Sequence, residues 1–125
     1  MNNKAARRFD IAVIGLGYVG LPLVIEAHKS GLTVLGVEVD SRKVQRLLEG
    51  SSYIEGVSDD ELRSAITGGF LPTVDNTQLS QAETAIICVP TPLKDQVPDL
   101  TAVIEAGKAV GEHLERGQLV ILQST

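Results

Sequence analysis

Four short runs along the chain are apolar at nearly every position and rich in β-branched residues: Asp10–Ile14, Thr33–Glu38, Thr84–Val89 and Gln118–Gln123. A strand with one face in water alternates apolar and polar side chains. A run without that alternation suits a strand covered on both faces, which is the situation in a parallel sheet. A weaker run, Leu71–Val74, lies between the second and third of these.

The segments between them carry helical spacing. From Gly20, apolar or small residues recur at Leu23, Val24 and Ala27, and Gly31 supplies a C-terminal cap. Asp40 or Ser41 can cap a helix carrying Val44, Leu47 and Leu48, with Gly50 at its end. Ser58 and Glu61 form a Ser-x-x-Glu capping pattern ahead of Leu62, Ala65 and Ile66, and Gly68 is the stop. Asp99 caps the longest predicted helix, whose inner face is Leu100, Val103, Ile104, Val110 and Leu114. Gly107 and Gly111 fall on the same face. Each costs roughly 1 kcal/mol against alanine in a helix, and a close approach to the sheet would offset that.

The order is therefore β-α-β-α-α-β-(short helix)-β-α-β, with no internal repeat, low-complexity tract or linker. Right-handed crossovers wind such an order into an α/β fold, a doubly wound parallel sheet with strand order 3-2-1-4-5. Residues 1–125 are expected to be one domain, with residues 1–8 a flexible leader. Sheets of this class usually run beyond five strands. The last strand-like run stops close to Ser124 and Thr125, so the expectation is a domain cut short.

Composition narrows the function. A chain of 125 residues holds one hydrophobic core, and 43% hydrophobic with 22% charged residues are ordinary globular values. The net charge of −5 argues against a nucleic-acid partner, since phosphate binding needs a basic surface. Lys4, Arg7 and Arg8 make the leader basic, but no signal-like apolar run follows. Nothing approaches the roughly 18 consecutive apolar residues of a membrane helix. The one cysteine excludes an internal disulfide and fits a reducing compartment. A cytoplasmic location is expected.

The chemistry concentrates in Gly15-Leu16-Gly17-Tyr18-Val19-Gly20, directly after the first strand and opening the first helix. In such a turn the first glycine permits the tight bend and the second lets backbone approach a pyrophosphate. The third allows helix to pack on strand. The helix N-terminus offers N–H groups and a positive dipole end to the phosphates, and Pro22 is tolerated in the first turn. A glycine pattern alone is weak, and its bland alternative is a tight turn with no ligand. Here an acid, Glu38, follows 18 residues after Gly20 at the end of the second strand. A carboxylate there accepts from adenosine ribose hydroxyls and repels a 2′-phosphate, which favours NAD over NADP in a Rossmann-type fold. Lys43 and Arg42 are rival candidates for the adenosine end.

Several segments together resemble one family: IGLGYVGLPL (Ile14–Leu23), YIEGVSDDEL (Tyr53–Leu62), CVPTPL (Cys88–Leu93), PDL (Pro98–Leu100) and LQST (Leu122–Thr125). In order and spacing they are similar to the UDP-glucose/GDP-mannose dehydrogenase family, which oxidises the 6-hydroxyl of a nucleotide sugar to a carboxylate. The form YIEGVSD resembles the branch acting on UDP-N-acetylhexosamines. The resemblance implies that Gly15, Gly17, Tyr18, Val19 and Gly20 line the pyrophosphate turn and that Glu38 and Lys43 hold the adenosine ribose end. It implies that Thr91, between Pro90 and Pro92, meets the cofactor. Thr125 would sit near the nicotinamide and support the hydrolytic step. Two departures stand out: Glu38 where the family usually has Asp, and Gln123 where Glu is common before Ser-Thr.

The family reaction consumes two NAD and a water per sugar and uses a cysteine nucleophile with a neighbouring lysine. The resemblance places both in later domains, beyond this chain, together with most UDP-sugar contacts and the central region through which the family forms homo-oligomers. This chain alone is therefore expected to be inactive. Cys88, inside an apolar run, reads as a small buried hydrophobe. His28 and His113 lack metal-ligand spacing and read as surface or packing residues. Asp59, Asp60 and Glu61 read as helix-start charge. Two other readings of the glycine turn are a β-hydroxyacid-type dehydrogenase domain and a non-catalytic dinucleotide-sensing module. The former usually has Met-Gly where Val19-Gly20 stands.

Overall fold

The computed structural model describes residues 7–123. In chain order its elements are β1 (Phe9–Ile14), α1 (Gly20–Lys29), β2 (Val34–Val37), α2 (Ser41–Leu48), α3 (Asp59–Thr67) and β3 (Leu71–Thr73). A 3-10 helix (Asn76–Gln81), β4 (Ala82–Ile87), β5 (Leu93–Lys94), β6 (Val97–Pro98), α4 (Thr101–His113) and β7 (Leu119–Leu122) follow. The main sheet is parallel throughout, in the order β3-β2-β1-β4-β7. This is the expected 3-2-1-4-5 arrangement, its fifth strand being β7 because a small separate hairpin, β5–β6, intervenes.

The unbroken apolar character of the strands has the expected cause. Successive side chains of β1 point to opposite faces, and both faces are covered. Val13 packs with Leu21, Val24, Leu47, Leu62 and Phe70 on one side. Ala12 and Ile14 pack with Leu35, Leu79, Ile87, Ala106 and Val110 on the other.

Four details differ from the sequence expectations. β4 begins at Ala82 and ends at Ile87, two residues earlier than the run Thr84–Val89. Ala82 pairs with Phe9 and is fully buried, but alanine gives little strand signal. The chain leaves the sheet at Cys88, ahead of Pro90. The β5–β6 hairpin turns through Asp95 and Gln96, both at positive φ (53° and 65°). Two-residue hairpin turns of this kind normally announce themselves by glycine, which is absent here.

The third difference is the rotation of α4. Its buried residues are Ala106 and Val110, whereas Leu100 and Ile104 are 51% and 54% exposed and Leu114 is also exposed. A side chain at Gly107 or Gly111 would meet nothing within 4 Å, so neither glycine serves close packing. The small side chains Ala106 and Ala109 bring the helix against the sheet, and the larger apolar residues are left outside. Asp99 caps α4 from one position early: its carboxylate accepts from the Thr101 N–H at 3.0 Å, and the N-cap itself is Leu100.

The fourth concerns Arg7, which with Arg8 is the part of the expected leader that lies within the described residues. The Arg7 side chain is only 7% exposed, pairs with Glu115 at 3.2 Å and donates to the carbonyls of Ser80 and Arg116. It is a clasp at the amino ends of the strands. Among the described residues no helix is long and apolar enough to cross a membrane.

Candidate functional site

At the carboxyl ends of β1, β2 and β4 the sheet opens into a cleft of about 1250 Å³. Between β1 and β4 the strand order reverses, and open α/β sheets bind ligands at that switch point. The turn from β1 to α1 forms the floor. A Cβ on Gly20 would lie 1.7 Å from the Gly15 carbonyl oxygen, so only glycine lets the helix start there. Gly15 has φ +96°, and a Cβ on it would lie 2.8 Å from the Cys88 carbonyl oxygen. Over Gly17 there is nothing within 4 Å, which leaves bare backbone facing the cleft.

The helix starts sharpen the contrast. α2 is capped by Asp40, and α3 carries the complete Ser58–Glu61 capping box with three acids in its first turn. α1 has no side-chain cap at Val19 and no acid in its first turn. Its positive dipole end is left to whatever enters the cleft.

Glu38 is the buried charge of this site, 7% exposed. Its Oε1 accepts from the Leu16 N–H at 3.1 Å and its Oε2 from the Asp40 N–H at 3.0 Å. A carboxylate has about four lone-pair sites, so each oxygen keeps capacity for a ligand hydroxyl. Of the two rival cations, Arg42 turns back to Asp40 at 3.4 Å, and its guanidinium helps hold the Asp40 carboxyl below the usual range. Lys43 places its ammonium 5.6 Å from the Tyr53 ring centroid. Both line the cleft.

The structure thus brings Gly15, Gly17, Tyr18, Val19, Glu38, Lys43, Pro90 and Thr91 to one cleft. Gly20 supports it from below, and Thr125 lies outside the described residues. Tyr53, Arg46 and Asn76 also line the cleft and were not singled out from sequence. Tyr53 donates its hydroxyl to the Leu16 carbonyl at 2.6 Å, and Arg46 holds the 51–52 backbone and hydroxyl. Tyr53 belongs to the segment YIEGVSD, but nothing local in that segment announces a contact 37 residues away. Cys88 borders the floor with its N–H bonded to the Ile14 carbonyl at 2.7 Å. Burial pushes its thiol up, away from the thiolate form.

Comparison with known proteins gives the same picture. UDP-N-acetyl-D-mannosamine dehydrogenase of Pyrococcus horikoshii is 38% identical over 92% of this chain, and its structure superposes with a TM-score of 0.86. UDP-N-acetyl-D-glucosamine 6-dehydrogenase of Salmonella typhi is 39% identical, again over 92% of the chain. The structure of GDP-mannose dehydrogenase from Pseudomonas aeruginosa is 28% identical over 93% of the chain, with a TM-score of 0.84. This chain spans only 27–28% of the length of those proteins. A family model described as the UDP-glucose/GDP-mannose dehydrogenase family, NAD binding domain, matches residues 9–125. Since that match takes in the whole sheet and the cleft at its carboxyl ends, the chain belongs to the UDP-glucose/GDP-mannose dehydrogenase family, as its NAD binding domain.

Proposed function

We propose that this domain serves the NAD-dependent oxidation of a UDP-sugar at C6 to the uronic acid, the sugar being a UDP-N-acetylhexosamine. The single observation that carries the cofactor site is the uncapped start of α1 over a bare Gly17, with the Glu38 carboxylate across the turn. These features fit a dinucleotide. The N–H groups of the glycine turn would hold its pyrophosphate, and Glu38 with Lys43 its adenosine ribose end. Pro90 and Thr91 border the half that leads toward the nicotinamide. Bound NAD supplies a hydride acceptor, and the residues of this chain bind and orient it. The substrate class rests on the names of the relatives and on the YIEGVSD segment.

The nucleophilic cysteine, its lysine and most sugar contacts belong to other parts of the full protein, a cytoplasmic homo-oligomer. Thr125, outside the described residues, keeps a supporting catalytic role by resemblance. This chain alone binds NAD weakly and turns over nothing. Calorimetry or saturation-transfer NMR with NAD and NADP tests the cofactor half: NAD is expected to bind in preference. A folded chain that binds neither at millimolar concentration overturns the proposal. NADH production by the full-length enzyme with UDP-N-acetylglucosamine, UDP-N-acetylgalactosamine and UDP-glucose tests the other half. Turnover of UDP-glucose alone would refute the proposed substrate class.

A further inference from the structure

Leu16, the middle residue of Gly15-Leu16-Gly17, is held at three points: its side chain, its N–H and its carbonyl. Its side chain is fully buried and sits where a Cβ on Gly36 would come within 2.9 Å of it. Its N–H is held by Glu38, and its carbonyl accepts from the Tyr53 hydroxyl at 2.6 Å. The two hydrogen bonds act on two different peptide planes: Glu38 fixes the plane joining Gly15 to Leu16, and Tyr53 the plane joining Leu16 to Gly17. A trans peptide is planar, with its C=O and N–H pointing in opposite directions, and no cis bond occurs among the described residues. Anchoring the Leu16 carbonyl toward Tyr53 therefore aims the Gly17 N–H the opposite way.

Resting on the cofactor site proposed above, we propose that the Tyr53 hydroxyl is a positioning group for the pyrophosphate: it sets the Leu16–Gly17 peptide and thereby the direction of the Gly17 N–H. Tyr53 lies in the loop between α2 and α3, outside the glycine fingerprint, and is held there by neighbours of its own. Lys43 covers its ring, and Ile54 beside it is buried in the core. Burial, with the charges of Glu38 and Asp40, pushes the phenol above its usual range, which favours the neutral, donating form. The loop 51–57 and the glycine turn are thereby joined through the Tyr53 hydroxyl.

The test is Tyr53→Phe, which removes one oxygen and keeps the ring under Lys43. NAD and adenosine are titrated against the unmodified chain and the variant. A net hydrogen bond is worth a factor of roughly 3–10, so NAD should bind about that much more weakly to the variant. Adenosine, which has no phosphate, should bind both proteins alike. Equal NAD affinity in both proteins overturns the inference alone. Equal loss for NAD and adenosine also overturns it, because the hydroxyl would then be acting on the whole cleft. Failure of the unmodified chain to bind NAD removes the proposed function, and the inference with it. A second measurement needs no variant: the Tyr53 hydroxyl proton of the unmodified chain should give an exchange-protected NMR resonance near Leu16. A freely exchanging phenol overturns the inference.

Discussion

Glu38, as the proposed ribose acid, would do two jobs that removal of its whole carboxylate does not separate. Removing its carboxylate deletes the acceptor proposed for a ribose hydroxyl and also leaves the Leu16 and Asp40 N–H groups without their partner. Loss of a charge-assisted hydrogen bond costs about 1.5–3 kcal/mol, so Glu38→Ala should weaken NAD binding roughly 10–150-fold. Glu38→Gln keeps an acceptor for one of the two backbone N–H groups, sets an amide NH2 against the other, and removes the charge that would repel a 2′-phosphate. It should hold NAD better than Glu38→Ala while accepting NADP nearly as well. An NAD-over-NADP preference unchanged in both variants would show that the ribose acid lies elsewhere, with Asp40 the next candidate. Cys88 presents the opposite case. It borders the cleft, but burial disfavours its thiolate, and a reactive cysteine needs an exposed, electropositive setting. Cys88→Ala should cost about 1 kcal/mol of stability, seen as a lower denaturation midpoint, with NAD affinity unchanged within about twofold. A large loss of affinity in the folded variant would sink that assignment.

At the scale of elements, α4 gives the sharpest prediction. Gly107 and Gly111 sit in a helix with open space where a side chain would go. Gly107→Ala and Gly111→Ala should each stabilise the chain by up to about 1 kcal/mol, read as a raised midpoint in urea. A destabilised Gly111→Ala would mean that something packs there. This helix also shows what sequence could and could not reveal. The strands and their order were legible because β1, β2 and β4 are buried on both faces, which leaves a continuous apolar run. The cleft was legible because the glycine turn and Glu38 are tied by chemistry to fixed spacings. The rotation of α4 was not: Ile104 and the flanking Leu100 and Leu114 are more hydrophobic than its alanines, while the sheet selects the small side chains that approach closely. Nor was Tyr53, whose one long-range hydrogen bond leaves no periodic trace. The β5–β6 hairpin escaped because Asp95-Gln96 lacks the glycine that its turn usually demands.

Over the whole molecule, the described residues are unevenly finished. β7 is the outer strand of the sheet, and Leu119, Val120, Ile121 and Leu122 are 39–58% exposed. Unpaired apolar edges recruit other strands. The isolated chain should therefore self-associate with rising concentration in sedimentation, and Val120→Lys on that strand should suppress it. A chain that remains monomeric at about 1 mM would refute this.

The Arg7 clasp divides the molecule into two poles. It ties the start of β1 to the segments leading into β4 and β7, and all of these lie at the amino ends of the strands. The cleft lies at the other ends, and a six-residue β1 separates the poles by about 20 Å. A substitution at Arg7, Ser80 or Glu115 thus acts on the end of the sheet away from the cleft, while one at Gly17 or Glu38 acts on the cleft itself. A reporter dye or affinity handle attached beside Arg7 sits at the pole facing away from the cleft, so the domain can be tethered to a surface by that end with the cleft left open to solvent.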